Sequence, residues 1–208
     1  MPSVRAEGFR PIERRLLLSL GVAQSTVSAG SQLGSAATKL TGVLHEAAFL
    51  RAFVAWERFL ESSFLSYLVG KNPLRGRPPY RYYRPPNVES ARKFLVLLSG
   101  RRPYLDWTNA ATVAECAETV FRGGGCFSRL RVQNLVIQDM KKVRNAISHD
   151  SDDARGKFED LVRRELTTLP PQCTPGSFLR TRNPTAHIPG SFLDTYLGVI
   201  STLANDIL

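Results

Sequence analysis

The stretch from Thr41 to Val69 constrains the fold more than any other. On a helix of 3.6 residues per turn, Leu44, Ala47, Ala48, Arg51, Ala52, Ala55, Phe59 and Ser62 fall on one side. Phe49, Phe53, Trp56, Leu60, Phe64 and Tyr67 fall on the adjacent side. A helix apolar over so much of its circumference belongs in the middle of a helical bundle rather than on a surface. Gly70, Asn72 and Pro73 end it. Glu57 is out of keeping, because it follows Trp56 in an apolar neighbourhood, with Arg58 and Glu61 nearby. It is either solvated or buried against a partner, for which Arg144 or Asn145 on a facing helix are the candidates.

Helical patterning recurs along the chain. Met1–Arg10 reads as a loosely packed end. Pro11 suits the first position of a helix, Glu13 its first turn, and Leu16, Leu17, Leu18 and Leu20 its apolar run. RRLLLSLGVA, Arg14 to Ala23, is too short for a membrane span and precedes no small-residue cleavage site, so it reads as a buried helical segment. Ser25–Ser35 holds four serines and two glycines, and either breaks the helix or is a weakly specified part of a longer one. Glu89–Leu98 predicts a helix with Phe94, Leu95, Leu97 and Leu98 inward, stopped by Gly100. After a connector from Arg101 to Trp107, Thr108 or Asn109 caps a helix to about Phe121, with Val113, Ala117 and Val120 inward. Gly123-Gly124-Gly125 is a turn, not a phosphate loop, since no strand precedes it and no Gly-Lys-Ser/Thr follows.

Asp153–Leu166 predicts another helix, with Phe158, Leu161, Val162 and Leu166 on its apolar side. Pro170, Pro171 and Pro175 forbid its continuation. Cys173–Gly190 reads as irregular, with room for a short hairpin, and Phe192–Leu208 as a largely apolar closing helix. No repeat and no Pro/Gly linker separates two cores. The expectation is one all-α domain over 1–208, with its core in about 11–208.

Charge narrows the partners. Lys plus Arg number 28 against 18 acidic residues, a net charge of +10 that favours a phosphate-rich or otherwise acidic partner. The basic residues concentrate in an insertion at about 71–102, which carries Lys71, Arg75, Arg77, Arg81, Arg84, Arg92, Lys93, Arg101 and Arg102 against Glu89 alone. Tyr80, Tyr82, Tyr83 and Tyr104 interleave with them or flank them, and Pro73, Pro78, Pro79, Pro85 and Pro86 hold its first part out of regular helix. Arginines of this kind contact phosphates, and tyrosines stack on unpaired RNA bases. The plainer alternative is a solvated surface insertion anchored by its tyrosines. Cys116, Cys126 and Cys173 are odd in number and widely spaced, which argues against a disulfide framework and for a reducing, cytoplasmic setting. No apolar run reaches membrane-spanning length, and no His/Cys spacing marks a zinc site. His45 and His187 read as structural or surface residues, and Asp150, Asp152 and Asp153 as a solvated acidic turn rather than a hard-cation site. No cofactor is implied.

The chemistry gathers in LVIQDMKKVRNAISHD, Leu135 to Asp150. Val132, Leu135, Val136, Met140, Val143 and Ile147 form its apolar stripe, with steps mostly of three or four. Off that stripe sit Lys141, Arg144, Asn145 and Ser148, and His149 closes the segment. A guanidinium fork holds phosphate oxygens, and a neutral imidazole exchanges a proton near pH 7, so the group suits a phosphate substrate. Arg144 and His149 also have a structural explanation, as a partner of Asp139 or Asp150 and as a helix C-terminal histidine.

Arg144-Asn145-Ala146-Ile147-Ser148-His149 resembles the Arg-x4-6-His signature of the HEPN superfamily, in which a polar residue, most often Asn, follows the Arg. AWERFLES, Ala55 to Ser62, resembles the acidic second helix of that family, and PGSFL, Pro175 to Leu179, the segment that follows its signature helix. The layout is most similar to the bacterial RiboL-PSP-HEPN and MAE-type groups, with the likeness running from about Leu16 to the end. The resemblance implies an all-α bundle of four or five helices that dimerises and brings two signature helices face to face. It implies a metal-independent endoribonuclease of toxin–antitoxin, CRISPR-associated or anti-phage systems, in which a ribose 2′-hydroxyl attacks the adjacent phosphate. Arg144 would then clamp the phosphate, His149 transfer a proton, Asn145 orient the site and Glu57 support it. The insertion and Lys141 would bind RNA, and an antitoxin or defence protein would be a further partner. Some relatives of this kind are non-catalytic RNA-binding or protein-interaction modules, and that is the alternative reading.

Overall fold

The computed structural model describes residues 7–32, 38–98, 105–186 and 189–208. Gly100, Arg101, Arg102, Tyr104 and His187, residues 1–6 of the N-terminal end, and 33–35 of the Ser25–Ser35 stretch lie outside the described residues. The architecture is all-helical: α1 (Phe9–Ser31), α2 (Thr38–Leu68), α3 (Val88–Leu98), α4 (Ala110–Val120), a 3-10 segment (Arg122–Arg131), α5 (Asn134–Ser148), α6 (Asp152–Leu166), α7 (Pro175–Arg180) and α8 (Phe192–Ile207). Among the described residues the β pairing amounts to two isolated bridges, Arg81 with Phe121 and Arg182 with Ser191. No helix among them is long and apolar enough to cross a membrane.

The chain divides into two compact units, a first made of Met1–Leu16, Trp56–Ile137 and Ser201–Leu208, and a second made of Leu17–Ala55 and Gln138–Ile200. The first unit is built round Phe64, which is fully buried. Its ring lies 4.9 Å from Phe127, 5.2 Å from Phe121 and 5.5 Å from Trp107. One turn on, Tyr67 packs on Phe9 at 4.5 Å and donates its hydroxyl to the Ile207 carbonyl. Phe9 thus anchors α1 two residues before Pro11. That proline stands inside the first turn, where its missing N–H has no helical acceptor to lose.

The second unit is strung on another series of rings. Phe158, Phe178, Phe192, Tyr196, Phe49 and Phe53 follow one another at centroid separations of 4.2–6.4 Å. The segment expected to be irregular contains α7, because Thr174 closes a capping box with Ser177 and Pro175 pre-sets the first turn. α7 docks tightly on α2. A Cβ at Gly176 would fall 2.5 Å from the Gly42 carbonyl oxygen, so only glycine allows this approach. The Glu46 carboxylate accepts the Gly176 N–H at 2.8 Å, and Arg180 donates to the Thr38 carbonyl at 3.2 Å.

Several helices turn other faces inward than the sequence led one to expect. In α1, Leu16, Leu20 and Ala23 are buried, but Leu17 and Leu18 are more than half exposed. A run of consecutive leucines cannot all face one side of a helix. Ser25, Thr26 and Ser28 return their hydroxyls to the Gly21, Val22 and Gln24 carbonyls, so the polar stretch stays helical through Ser31. α3 buries Val88, Ala91 and Leu95 and exposes Leu97 and Leu98. α5 begins at Asn134, and its buried face is Ile137, Met140 and Val143, which leaves Val132 and Leu135 exposed. Asn109 caps α4 by accepting the Thr112 N–H, and Ser151 caps α6 by accepting that of Ala154.

Phe64→Ala is expected to destabilise the protein by about 3–5 kcal/mol, read as a lowered urea midpoint, because three rings lose their common neighbour. A second outcome concerns pH. Burial pushes the Cys116 thiol up to about 11 from its usual 9.0. Below pH 9 the thiol is protonated whether the chain is folded or not, and its contribution is complete. Above that, the unfolded chain releases the proton first, and stability falls as pH rises towards 11. Cys116→Ala should flatten the decline of the urea midpoint over that window.

Candidate functional site

The signature residues stand at the C-terminal end of α5, in the second unit. The burial of Met140 and Val143 fixes the rotation of the helix, and that rotation leaves Arg144 and Asn145 half-buried and His149 exposed just beyond the last turn. The His149 N–H closes that turn on the Asn145 carbonyl at 2.9 Å. The Arg144 Nη1 donates to the Asn145 Oδ1 at 3.2 Å and lies 3.3 Å from the His149 Nε2. A guanidinium nitrogen offers only hydrogens, so this contact requires the imidazole nitrogen facing it to carry a lone pair. Arg144, Asn145 and His149 therefore form one polar cluster whose centre is a cation beside a proton acceptor. Such a pair can bind an oxyanion through the guanidinium N–H groups, and once Nη1 turns to the anion the freed Nε2 lone pair can accept a proton from a neighbouring hydroxyl.

The structural explanation for Arg144 does not apply to these contacts. Asp150 pairs instead with Arg155 at 3.5 Å. Asp139 is 5 % exposed and accepts from Lys142 at 3.1 Å and from Arg164 of α6. The Asp139 carboxylate, followed by Glu165, holds Arg164 more firmly protonated than usual against the opposing effect of its partial burial. Tyr196 is pushed well above the ordinary phenol range, first by burial and then by the Asp139 and Glu165 charges. This Asp139–Arg164 clamp ties α5 to α6 one turn before the signature and was not foreseen. The sequence signal was present: Val136, Asp139 and Val143 are spaced three and four apart, which puts a carboxylate among apolar positions.

The other candidates are more scattered. Glu57 is half-buried on the part of α2 that belongs to the first unit, and Lys141 is half-buried on α5. His45 is buried, with its Nδ1 2.7 Å from the Thr41 carbonyl, a structural contact. Asp153 pairs with Lys157 at 2.7 Å. Among the described residues, no group of three or more His, Cys, Asp or Glu side chains is placed to hold a metal ion.

The described part of the basic insertion, 71–98, lies in the first unit. Its backbone is pinned to the end of α4 by Tyr82 N–H to Val120 and Arg122 N–H to Tyr80, both at 2.9 Å. Arg81 turns inward, donates to the Leu68 carbonyl at 2.9 Å, and occupies the space that a side chain at Gly70 would need. Arg75, Arg77 and Arg84 are exposed. Tyr83 stacks on Phe94 at 3.9 Å, whereas Tyr80 and Tyr82 meet edge to face at 5.7 Å and remain about 60 % exposed. Arg75, Arg77 and Arg84 are thus presented on the loop together with the open rings of Tyr80 and Tyr82.

No family model, curated protein or solved structure matches the chain.

Arg164→Met is expected to lower the thermal midpoint, because it removes a charge partner from a buried carboxylate at a cost of about 1–3 kcal/mol. Adding Asp139→Asn should recover part of that loss, and a double-mutant cycle of thermal midpoints measures the coupling. Additive losses would show that the two side chains do not interact.

Proposed function

We propose that this protein is a metal-independent endoribonuclease of the HEPN kind, serving as a toxin or anti-phage effector that cuts cellular RNA. The observation that carries the reading is the 3.3 Å contact between the Arg144 guanidinium and the His149 Nε2, with Asn145 holding the same guanidinium nitrogen. In this scheme Arg144 holds the non-bridging oxygens of the scissile phosphate. The Arg144 Nη1 turns from His149 Nε2 to the phosphate, the ribose 2′-oxygen attacks phosphorus as its proton passes to the freed Nε2 lone pair, and negative charge building on the phosphorus oxygens is met by the guanidinium. The bond to the 5′-oxygen then breaks, leaving a 2′,3′-cyclic phosphate and a 5′-hydroxyl. The leaving oxygen needs a proton from the side opposite the attack, which the same imidazole cannot reach. A second copy of the chain would supply His149 there, so the reading requires a homodimer with two signature helices facing each other. Arg75, Arg77 and Arg84 would bind phosphates, and Tyr80 and Tyr82 would stack on unpaired bases. An antitoxin or a defence-system protein is the further partner of this scheme.

The test is cleavage of labelled RNA by the purified protein in EDTA, beside Arg144→Ala and His149→Ala variants shown to be folded. The expected result is a cyclic or 2′/3′-phosphate product from the parent and a loss of about a hundredfold or more in each variant. RNA lacking the 2′-hydroxyl at the cut site should survive. Cleavage that persists in both variants would place the activity elsewhere. RNA binding without cleavage would assign the protein to the non-catalytic binding modules.

A further inference from the structure

The second unit carries an apolar helix face that the ribonuclease reading does not use. Leu40, Val43, Ala47, Leu50 and Val54 of α2 are spaced three, four, three and four residues apart, the a/d repeat of a helix that packs along another helix. Leu40, Val43 and Val54 are 51 %, 57 % and 36 % exposed, Ala47 is exposed and Leu50 half-buried. This is the reverse of the face that enters the core, where Ala48, Phe49, Ala52 and Phe53 are buried.

α1 extends the patch. The two helices run antiparallel, with Gly30 against Thr41 and Leu44. Equal rise along both helices carries exposed Val22 level with Leu50 and exposed Leu18 level with Val54. From Leu17 to Ser31, α1 contains no charged residue. Exposed apolar side chains grouped along two neighbouring helices, unlike ones scattered singly, call for an occupant.

Charge identifies the occupant. Among the described residues of this unit, the exposed charges bordering the stripe are Lys39 and Arg51 on α2 and Arg180, which reaches the Thr38 carbonyl, all positive. The Glu46 carboxylate is turned aside to the Gly176 N–H. A second copy of the chain laid along the stripe would bring cations towards cations with no exposed carboxylate to offset them. A helix with apolar residues at a and d and carboxylates at the flanking positions complements both features. We propose that α2, with the adjoining face of α1, is a docking surface for an amphipathic helix of a partner protein whose flanks are acidic. The proposal is independent of the ribonuclease reading.

The probe is a fluorescein-labelled peptide of about three heptads, leucine at a and d and glutamate at e and g, which repels its own copies. Three comparison peptides are used: one with lysine at e and g, one of identical acidic composition with the leucine spacing scrambled, and one unlabelled competitor. Anisotropy titrations use the full chain, the Arg51→Glu variant and the Val43→Ser/Val54→Ser variant, whose changes are at exposed positions. The expected result is binding of the acidic heptad peptide alone, weakened about tenfold or more by either variant. Arg51→Glu should also raise the affinity for the lysine peptide. Equal binding of the scrambled peptide would reduce the effect to bulk charge and overturn the proposal, as would no binding at all. Sedimentation showing a dimer in the parent and a monomer in Val43→Ser/Val54→Ser would assign the face to a second copy and overturn it likewise.

Discussion

Everything in this fold depends on the burial of α2. The helix supplies Phe49 and Phe53 to the core of the second unit and Trp56, Phe59, Leu60, Phe64 and Leu68 to that of the first. Side chains of that size each contribute about 1.5–3 kcal/mol when removed from water, and they do so only if other elements cover them. The remaining elements bring rings to meet them: Trp107, Phe121 and Phe127 around Phe64, and Tyr196 against Phe49. In each unit the aromatic contacts decide where loops and short helices rest.

The candidate site exploits a helix whose rotation is already fixed. Ile137, Met140 and Val143 lock α5 in one orientation, and the Asp139–Arg164 pair ties it to α6. With those constraints met, Arg144 and Asn145 have no freedom to turn inward, and the end of the helix places His149 beside them. The electrostatics follow. The Arg144 guanidinium is held by the Asn145 Oδ1 at 3.2 Å and faces the His149 Nε2 at 3.3 Å, so one cation and one imidazole share the end of the helix. In the basic insertion, Arg81 is spent on the Leu68 carbonyl, and this fixes the loop that displays Arg75, Arg77 and Arg84.

Much of this was legible from residue order. The cap at Asn109, the stop after α2, the long apolar helix and the clustering of Arg144, Asn145 and His149 all follow from local rules, because they join residues within a turn or two. Burial was less legible wherever apolar residues outnumber the positions on one face. Leu17, Leu18, Leu97, Val132 and Leu135 look like core residues in the sequence, and each is exposed. Periodicity gives the angular spacing of a stripe but not which of two overlapping stripes wins; that choice depends on the surface facing it.

By itself, then, the sequence determined an all-helical chain, its main helix termini, its positive charge and the turn-by-turn neighbourhood of the signature. The tertiary structure alone decided the partners of Asp139, the inward turn of Arg81, the docking of α7 at Gly176 and the exposed heptad face of α2. The reason is one of range. Helix formation and capping depend on hydrogen bonds between residues three or four apart, which sequence spacing encodes directly. Arg164 meets Asp139 across 25 residues, and Gly176 meets Glu46 across 130. Contacts at those separations exist only once packing has brought distant helices together.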